Sequence, residues 1–128
     1  MARIILVEPD RPLAEIYRQT LADDGHEVVV CAGAQAAVSA ADADRPDMVI
    51  LELQLVEHSG IEFLYEFRSY PEWQAIPVII HSWVPPAEFA DSRQLLGQEL
   101  GVDTYLYKPR TTLSQLASSV RDRLSVPA

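Results

Sequence analysis

The stretch Pro46-Asp47-Met48-Val49-Ile50-Leu51-Glu52-Leu53 decides how this chain is read. Met48 to Leu51 is continuously apolar and runs straight into a carboxylate, Glu52. A short apolar run without alternation suits a strand covered on both faces, as inside a parallel sheet. Ile4-Ile5-Leu6-Val7 has the same character, and it too is followed by an acid, Glu8.

Outward from these two runs, strand-like and helix-like stretches alternate along the whole chain. Strands are expected over residues 4–7, 27–31, 48–53, 78–81 and 104–107. Asp10 can cap a first helix with Pro12 in its first turn, and Leu13, Ile16, Tyr17, Thr20 and Leu21 then share a face. Gly25 is a stop. Residues 34 to about 43 form an alanine-rich second helix that ends before Arg45-Pro46. A third helix runs from residue 60 to about 70, with Ile61, Leu64 and Phe67 inward. A fourth spans residues 86–100, with Phe89, Leu96 and Leu100 inward and Gly101 closing it. The last spans residues 111–124, with Leu113, Leu116, Ala117, Val120 and Leu124 on one stripe. Five strand–helix units argue for right-handed crossovers and an α/β doubly wound sheet. The expected architecture is a flavodoxin-like (βα)5 three-layer sandwich with a parallel five-stranded sheet of order 2-1-3-4-5. Its crevice lies at the carboxyl ends of strands 1 and 3, at the loops after Val7 and Leu51.

The 128 residues suit one domain with one core, and the 48% hydrophobic content excludes a disordered chain. A formal net charge of −9 disfavours nucleic acid and anionic membrane surfaces as partners. No apolar run reaches the roughly 20 residues of a membrane span, and Arg3 followed by a strand does not read as a signal peptide. Cys31 is the only cysteine, so a reduced, cytoplasmic setting is expected. No internal repeat, linker or separate effector module is expected within the chain.

Four stretches now come together. Ile4-Ile5-Leu6-Val7-Glu8-Pro9-Asp10, the Glu52 strand with its loop Leu55-Val56-Glu57-His58-Ser59-Gly60, Ile76-Pro77-Val78-Ile79-Ile80-His81-Ser82, and Gly101-Val102-Asp103-Thr104-Tyr105-Leu106-Tyr107-Lys108-Pro109 occur in that order. Together they resemble the receiver domains of bacterial response regulators over nearly the whole chain. The resemblance implies a signal-transduction function in a two-component phosphorelay. It places Glu52 at the phosphoacceptor position, normally aspartate. Glu8 and Asp10 stand in the acidic pocket, Ser82 and Lys108 at the positions that contact the phosphoryl group, and Tyr105 at the switch aromatic. It also implies an Mg²⁺, whose oxygen ligands would be Glu8 and Glu52.

Two departures bear on that chemistry. Pro9 stands where the family places its second acid and brings no side-chain oxygen. The next acid, Asp10, is better used as a helix cap, so Mg²⁺ is expected to bind weakly or not at all, and no other cofactor is expected. Glu52 carries one methylene more than aspartate, which puts its carboxylate about 1.5 Å farther from the backbone. In-line phosphoryl transfer is sensitive to shifts of about 1 Å. Lys108 is then the expected partner of Glu52, and the pair either mimics a phosphorylated acceptor or closes a dead site. A working receiver, slowly phosphorylated with the help of Asp10, is the alternative. A flavodoxin-like small-ligand binder is a third, opposed by the acidic loop Glu8-Pro9-Asp10-Arg11-Pro12.

Trp83, beside Ser82, either covers the pocket or lies on the surface against Pro85-Pro86. His81 is expected to pack in its strand with one nitrogen bonded, and His26 to be exposed. Glu57, His58 and Glu8 lack a metal-ligand spacing. No nucleophile elbow or phosphate-binding glycine loop is present, so the chain does not read as an enzyme. By resemblance, a histidine kinase or downstream effector would bind the face made by the fourth helical segment, the fifth strand and the last helix, which also allows a homodimer.

Overall fold

The computed structural model describes residues 2–56, 59–88 and 95–125. Five parallel strands, β1 (Arg3–Val7), β2 (Glu27–Cys31), β3 (Met48–Leu51), β4 (Val78–Ser82) and β5 (Val102–Tyr107), form one sheet in the order β2-β1-β3-β4-β5. Among the described residues, four α-helices flank it: α1 (Arg11–Asp23), α2 (Ala34–Ala43), α3 (Gly60–Ser69) and α4 (Leu113–Leu124). The expected α/β order is therefore the observed one.

The continuous apolar runs are explained by the two layers they face. Ile5, Val7, Val49, Leu51, Val78 and Ile80 pack against α2 and α3 with Phe63, Leu64 and Phe67. Ile4, Leu6, Met48, Ile50 and Ile79 face the other way, against Ala14, Tyr17 and Leu21 of α1 and Leu116 and Val120 of α4. Successive strand residues point to opposite faces, so a strand buried on both sides must be apolar throughout. Burial of these aliphatic side chains contributes about 1.5–3 kcal/mol each.

Local signals place the helix ends. The Asp10 carboxylate accepts from the Leu13 N–H at 3.0 Å and caps α1. Ser59 caps α3, and Thr112 with Gln115 forms a reciprocal capping box on α4. Gly25, at φ +90°, turns the chain from α1 into β2. The Arg68 guanidinium donates to the carbonyls of Trp73 (2.7 Å), Leu100 (2.9 Å) and Gly101 (3.0 Å), tying the end of α3 to the turn that opens β5.

Several boundaries differ from the sequence expectation. The third strand ends at Leu51, so Glu52 and Leu53 lie just beyond it. Helix α4 begins at Leu113 rather than residue 111, and Leu113 is exposed in its first turn. Ile16 is exposed because the buried stripe of α1 runs through Ala14, Tyr17 and Leu21, about 100° away. Among the described residues, the span 86–100 is not one continuous α-helix. Glu88 donates to the Pro85 carbonyl, and residues Leu95–Glu99 form a π-helical turn in which the Leu100 N–H reaches the Leu95 carbonyl at 2.9 Å. Gly97 inside that turn weakens an α-helix by about 1 kcal/mol relative to alanine. Leu96 and Leu100 are buried as expected, whereas Phe89 lies outside the described residues.

Candidate functional site

The strand ends deliver the polar residues to one place. Val7 pairs in register with Leu51, and Ser82 with Tyr107. The residues that follow, or that end a strand, therefore emerge together: Glu8, Glu52, Ser82 and Lys108. The ladder continues one step past the strands, with the Glu52 N–H donating to the Val7 carbonyl at 3.0 Å and the Glu8 N–H to the Cys31 carbonyl at 3.0 Å. Gly60 closes the other side of the loop. Its N–H donates to the Leu53 carbonyl at 2.8 Å, and a Cβ there would stand 2.7 Å from the Leu53 Cα. Only glycine allows so close an approach.

The Glu52 carboxylate accepts four hydrogen bonds. Its Oε1 takes the Lys108 ammonium at 2.8 Å and the Trp83 N–H at 3.1 Å. Its Oε2 takes the Gln54 N–H at 3.1 Å and the hydroxyl of Ser82. Two carboxylate oxygens offer about four lone-pair positions, so the group is saturated. Burial pushes the Glu52 carboxyl upward, but the hydrogen bonds from Lys108, Ser82 and Gln54 and the charge of Lys108 outweigh it, leaving it below the ordinary carboxylate value.

The same ammonium donates to Glu8 Oε1 at 2.5 Å, while Glu8 Oε2 accepts from the Asp10 N–H at 3.2 Å. One cation thus serves two carboxylates, with Glu8, Glu52 and Lys108 only 4%, 2% and 7% exposed. Burial dominates at Glu8 and is reinforced by the charge of Glu52. Together they raise its carboxyl above the ordinary value against the pull of Lys108 and the Asp10 N–H. The ammonium also faces two rings, Trp83 at 5.5 Å and Tyr17 at 5.8 Å from their centroids. Both lie within cation–π range. Trp83 is 49% exposed, so the indole that approaches the buried ammonium is also open to solvent.

A second line of contacts leads away from Glu52. Ser82 Oγ accepts from the Val84 N–H at 3.0 Å, and the Val84 carbonyl accepts from the Tyr105 hydroxyl at 2.6 Å. Glu52, Ser82, Val84 and Tyr105 are joined in series, with Tyr105 half-buried at the end. Burial first, then the charges of Glu52 and Glu88, push the Tyr105 phenol up to about 12.

Sequence reasoning did not single out Tyr17. It sits two turns into α1, where the apolar stripe explains it fully, and nothing in its spacing points toward Lys108. Burial, then the charges of Glu8, Asp10 and Glu52, raise its phenol to about 12. Its ring meets the His81 ring edge-on at 4.7 Å. His81 packs in its strand as expected, and its Nδ1 is buried without a hydrogen-bond partner. The reason is its position: it faces the apolar layer formed with α1. Burial, then the charge of Lys108, lower its pKa to about 4 despite the charge of Glu52. His26 is half-buried rather than exposed, and its Nδ1 accepts from the Ala2 N–H at 3.4 Å. Glu57 and His58 lie outside the described residues.

This geometry of an acid pair, a hydroxyl and a lysine at the carboxyl edge of a five-stranded parallel sheet can be compared with known proteins. A family profile described as the response regulator receiver domain matches residues 4–121. The chain belongs to the response-regulator receiver family. This receiver is 32% identical over 109 residues to the KDP operon transcriptional regulatory protein KdpE of Escherichia coli, covering 85% of this chain and 45% of that protein. It therefore spans less than half the length of this curated relative. In fold it is similar to the non-phosphorylated HemR receiver domain of Leptospira biflexa, with a TM-score of 0.84, 23% identity, and coverage of 100% of this chain and 98% of that one. It is also similar to the beryllofluoride-activated receiver domain of Klebsiella pneumoniae RstA, with a TM-score of 0.80, 23% identity, and coverage of 97% and 99%.

The donor set of this receiver does not fit the magnesium ion implied by the resemblance. Mg²⁺ demands near-octahedral oxygen ligands. Pro9 has none to give, the Asp10 carboxylate caps α1, and one oxygen each of Glu8 and Glu52 is held by Lys108 while the others accept from N–H and O–H donors. Among the described residues, no three His, Cys, Asp or Glu side chains are grouped to hold a metal ion. Nor is any described helix long and apolar enough to cross a membrane.

Proposed function

We propose that this receiver takes no phosphoryl group and acts as a protein-interaction module of a two-component system, with the Glu52 carboxylate standing where the phosphoryl group would be held. The reading is carried by one observation, the four hydrogen bonds that saturate Glu52. Lys108 and Ser82, the residues that would hold the phosphoryl oxygens, are already spent on a side chain. A carboxylate lacks the charge and the third oxygen of a phosphate, but the series through Ser82 and Val84 to Tyr105 favours a switch that is set over a site that is merely closed. Trp83 then serves as the cover of the pocket.

Residues 1–128 act as one receiver domain in this reading, not as an enzyme that turns over a substrate. A cytoplasmic setting goes with it and is supported by the lone thiol of Cys31, which is buried and free. The partner is a histidine kinase or a downstream effector. It would meet the face made by the segment before β5, β5 itself and α4, a face a second copy could also use. A hollow of about 320 Å³ lined by Pro86, Leu96, Gly97, Val102, Thr104 and Tyr105 opens there.

The rival reading is slow Mg²⁺-dependent phosphorylation with Asp10 as a ligand, and the use of Asp10 as the α1 cap speaks against it. Intact-mass measurement after incubation with acetyl phosphate and Mg²⁺ separates the two. No Mg²⁺-dependent phosphoryl adduct is expected. An adduct that forms on the parent protein and is lost in Glu52→Gln would establish the rival.

A further inference from the structure

We infer that the pocket of this receiver is an organic-ammonium site, with two carboxylates and two aromatic faces built around Lys108, rather than a divalent-cation site. The inference goes beyond the reading of Glu52 as a held switch and shares with it only the Glu52–Lys108 contact. It starts from what surrounds one nitrogen. Lys108 Nζ stands 2.5 Å from Glu8 Oε1 and 2.8 Å from Glu52 Oε1. The rings of Trp83 and Tyr17 lie at 5.5 and 5.8 Å. All these groups but Trp83 are buried.

An ammonium on an alkyl stem matches this set on every count. It donates to two separate oxygens at hydrogen-bond distance, and its charge is stabilised by the ring faces. Its methylenes rest on apolar surface. A magnesium ion matches it poorly. The two ring faces supply no oxygen, and hydrated Mg²⁺ gives up its waters reluctantly. The lysine thus acts as a tethered counter-ion, positioned by the lysine-proline turn Lys108–Arg110 that follows β5.

Replacing Lys108 by alanine removes three methylenes and the ammonium, the outline of n-propylammonium. The test is the thermal unfolding midpoint of Lys108→Ala with added n-propylammonium chloride, MgCl₂ or NaCl at matched ionic strength. The variant is expected to unfold roughly 10–20 °C below the parent. Propylammonium should recover a substantial part of that loss in a saturable way, and magnesium no more than sodium does. Should Lys108→Ala not fold, the double variant Lys108→Ala, Glu8→Gln carries one buried carboxylate fewer and keeps Glu52 and both rings for the same titration. Recovery by magnesium equal to or better than that by propylammonium overturns the inference, and so does recovery by neither. Saturable Mn²⁺ broadening of the Glu8 and Glu52 amides in the parent protein would overturn it independently. Modification by acetyl phosphate is read by intact mass and ammonium recovery by unfolding, so a failure of one reading is told apart from a failure of the other.

Discussion

The hydroxyl of Ser82 donates to the carboxylate of Glu52, and this bond begins a series of contacts that ends at Tyr105. Ser82 Oγ, fixed from one side by Glu52, accepts the Val84 N–H, and Val84 in turn holds the Tyr105 hydroxyl. A side chain one methylene longer than aspartate reaches Ser82 directly. The same length brings Glu52 onto Lys108.

If the contacts act in series, they are energetically coupled. Ser82→Ala removes a donor to Glu52 and an acceptor for Val84, at about 1–3 kcal/mol. Tyr105→Phe removes the bond to the Val84 carbonyl, at about 1 kcal/mol. Because both act on Val84, a double-mutant cycle measured by urea unfolding is expected to give a coupling of at least about 0.5 kcal/mol. Additive losses would show that the Tyr105 contact is independent of the pocket.

The buried cluster sets an order of sensitivity. Lys108→Met strands two carboxylates, and breaking a buried pair in this way costs roughly 3–5 kcal/mol. Glu52→Gln keeps the shape and leaves Lys108 its partner Glu8, so a smaller loss of about 1–3 kcal/mol is expected. Glu8→Gln removes the surplus negative charge, and its loss should be the smallest, under about 1 kcal/mol. Denaturant midpoints of the three variants check this order. A Glu8→Gln loss as large as that of Lys108→Met would contradict it.

Stability should depend on pH through His81. Its pKa in the folded protein is about 4, against an ordinary 6.5. The folded state therefore resists protonation that the unfolded chain accepts. The contribution is present in full above about pH 6.5 and is lost as pH falls toward 4, amounting to roughly 3 kcal/mol. Glu52, lowered, loses its own contribution below its ordinary value of 4.5, in the same direction. Glu8, raised, works oppositely and favours the fold at low pH, losing that contribution as pH rises above 4.5. Unfolding midpoints followed from pH 7 to pH 5 should therefore fall in the parent and flatten in His81→Phe. An unchanged slope in the variant would remove His81 from the account.

The sheet was legible because burial on both faces leaves no room for alternation. Ile4 to Val7 and Met48 to Leu51 could be little else, and their order with the helical stretches fixed the topology. Glu8 and Glu52 were legible because they follow the two strands that flank the crevice, whereas Ser82 and Lys108 were picked out only by the resemblance to receivers. What stayed hidden depends on side-chain reach across elements. Tyr17 reads as an ordinary core residue of α1 until Lys108, 91 positions later, is seen beside its ring. The 86–100 span reads as one helix because Leu96 and Leu100 do face inward at helical spacing, and that spacing cannot tell a π-turn from an α-turn. Ile16 and Leu113 show the same weakness, since a stripe read at i, i+3 and i+4 is uncertain by one residue at its edge.

Amide-resolved NMR of the parent protein, titrated with Mg²⁺ and then with beryllofluoride, tests the central claim most directly. With Glu52 already holding Ser82, Lys108 and the Trp83 N–H, the signals of Glu8, Glu52, Ser82, Lys108 and Tyr105 are expected to stay in place. Shifts that saturate at those residues and spread to Tyr105 would mean that the pocket still receives a phosphoryl-like group, and the claim that Glu52 stands in its place would be wrong.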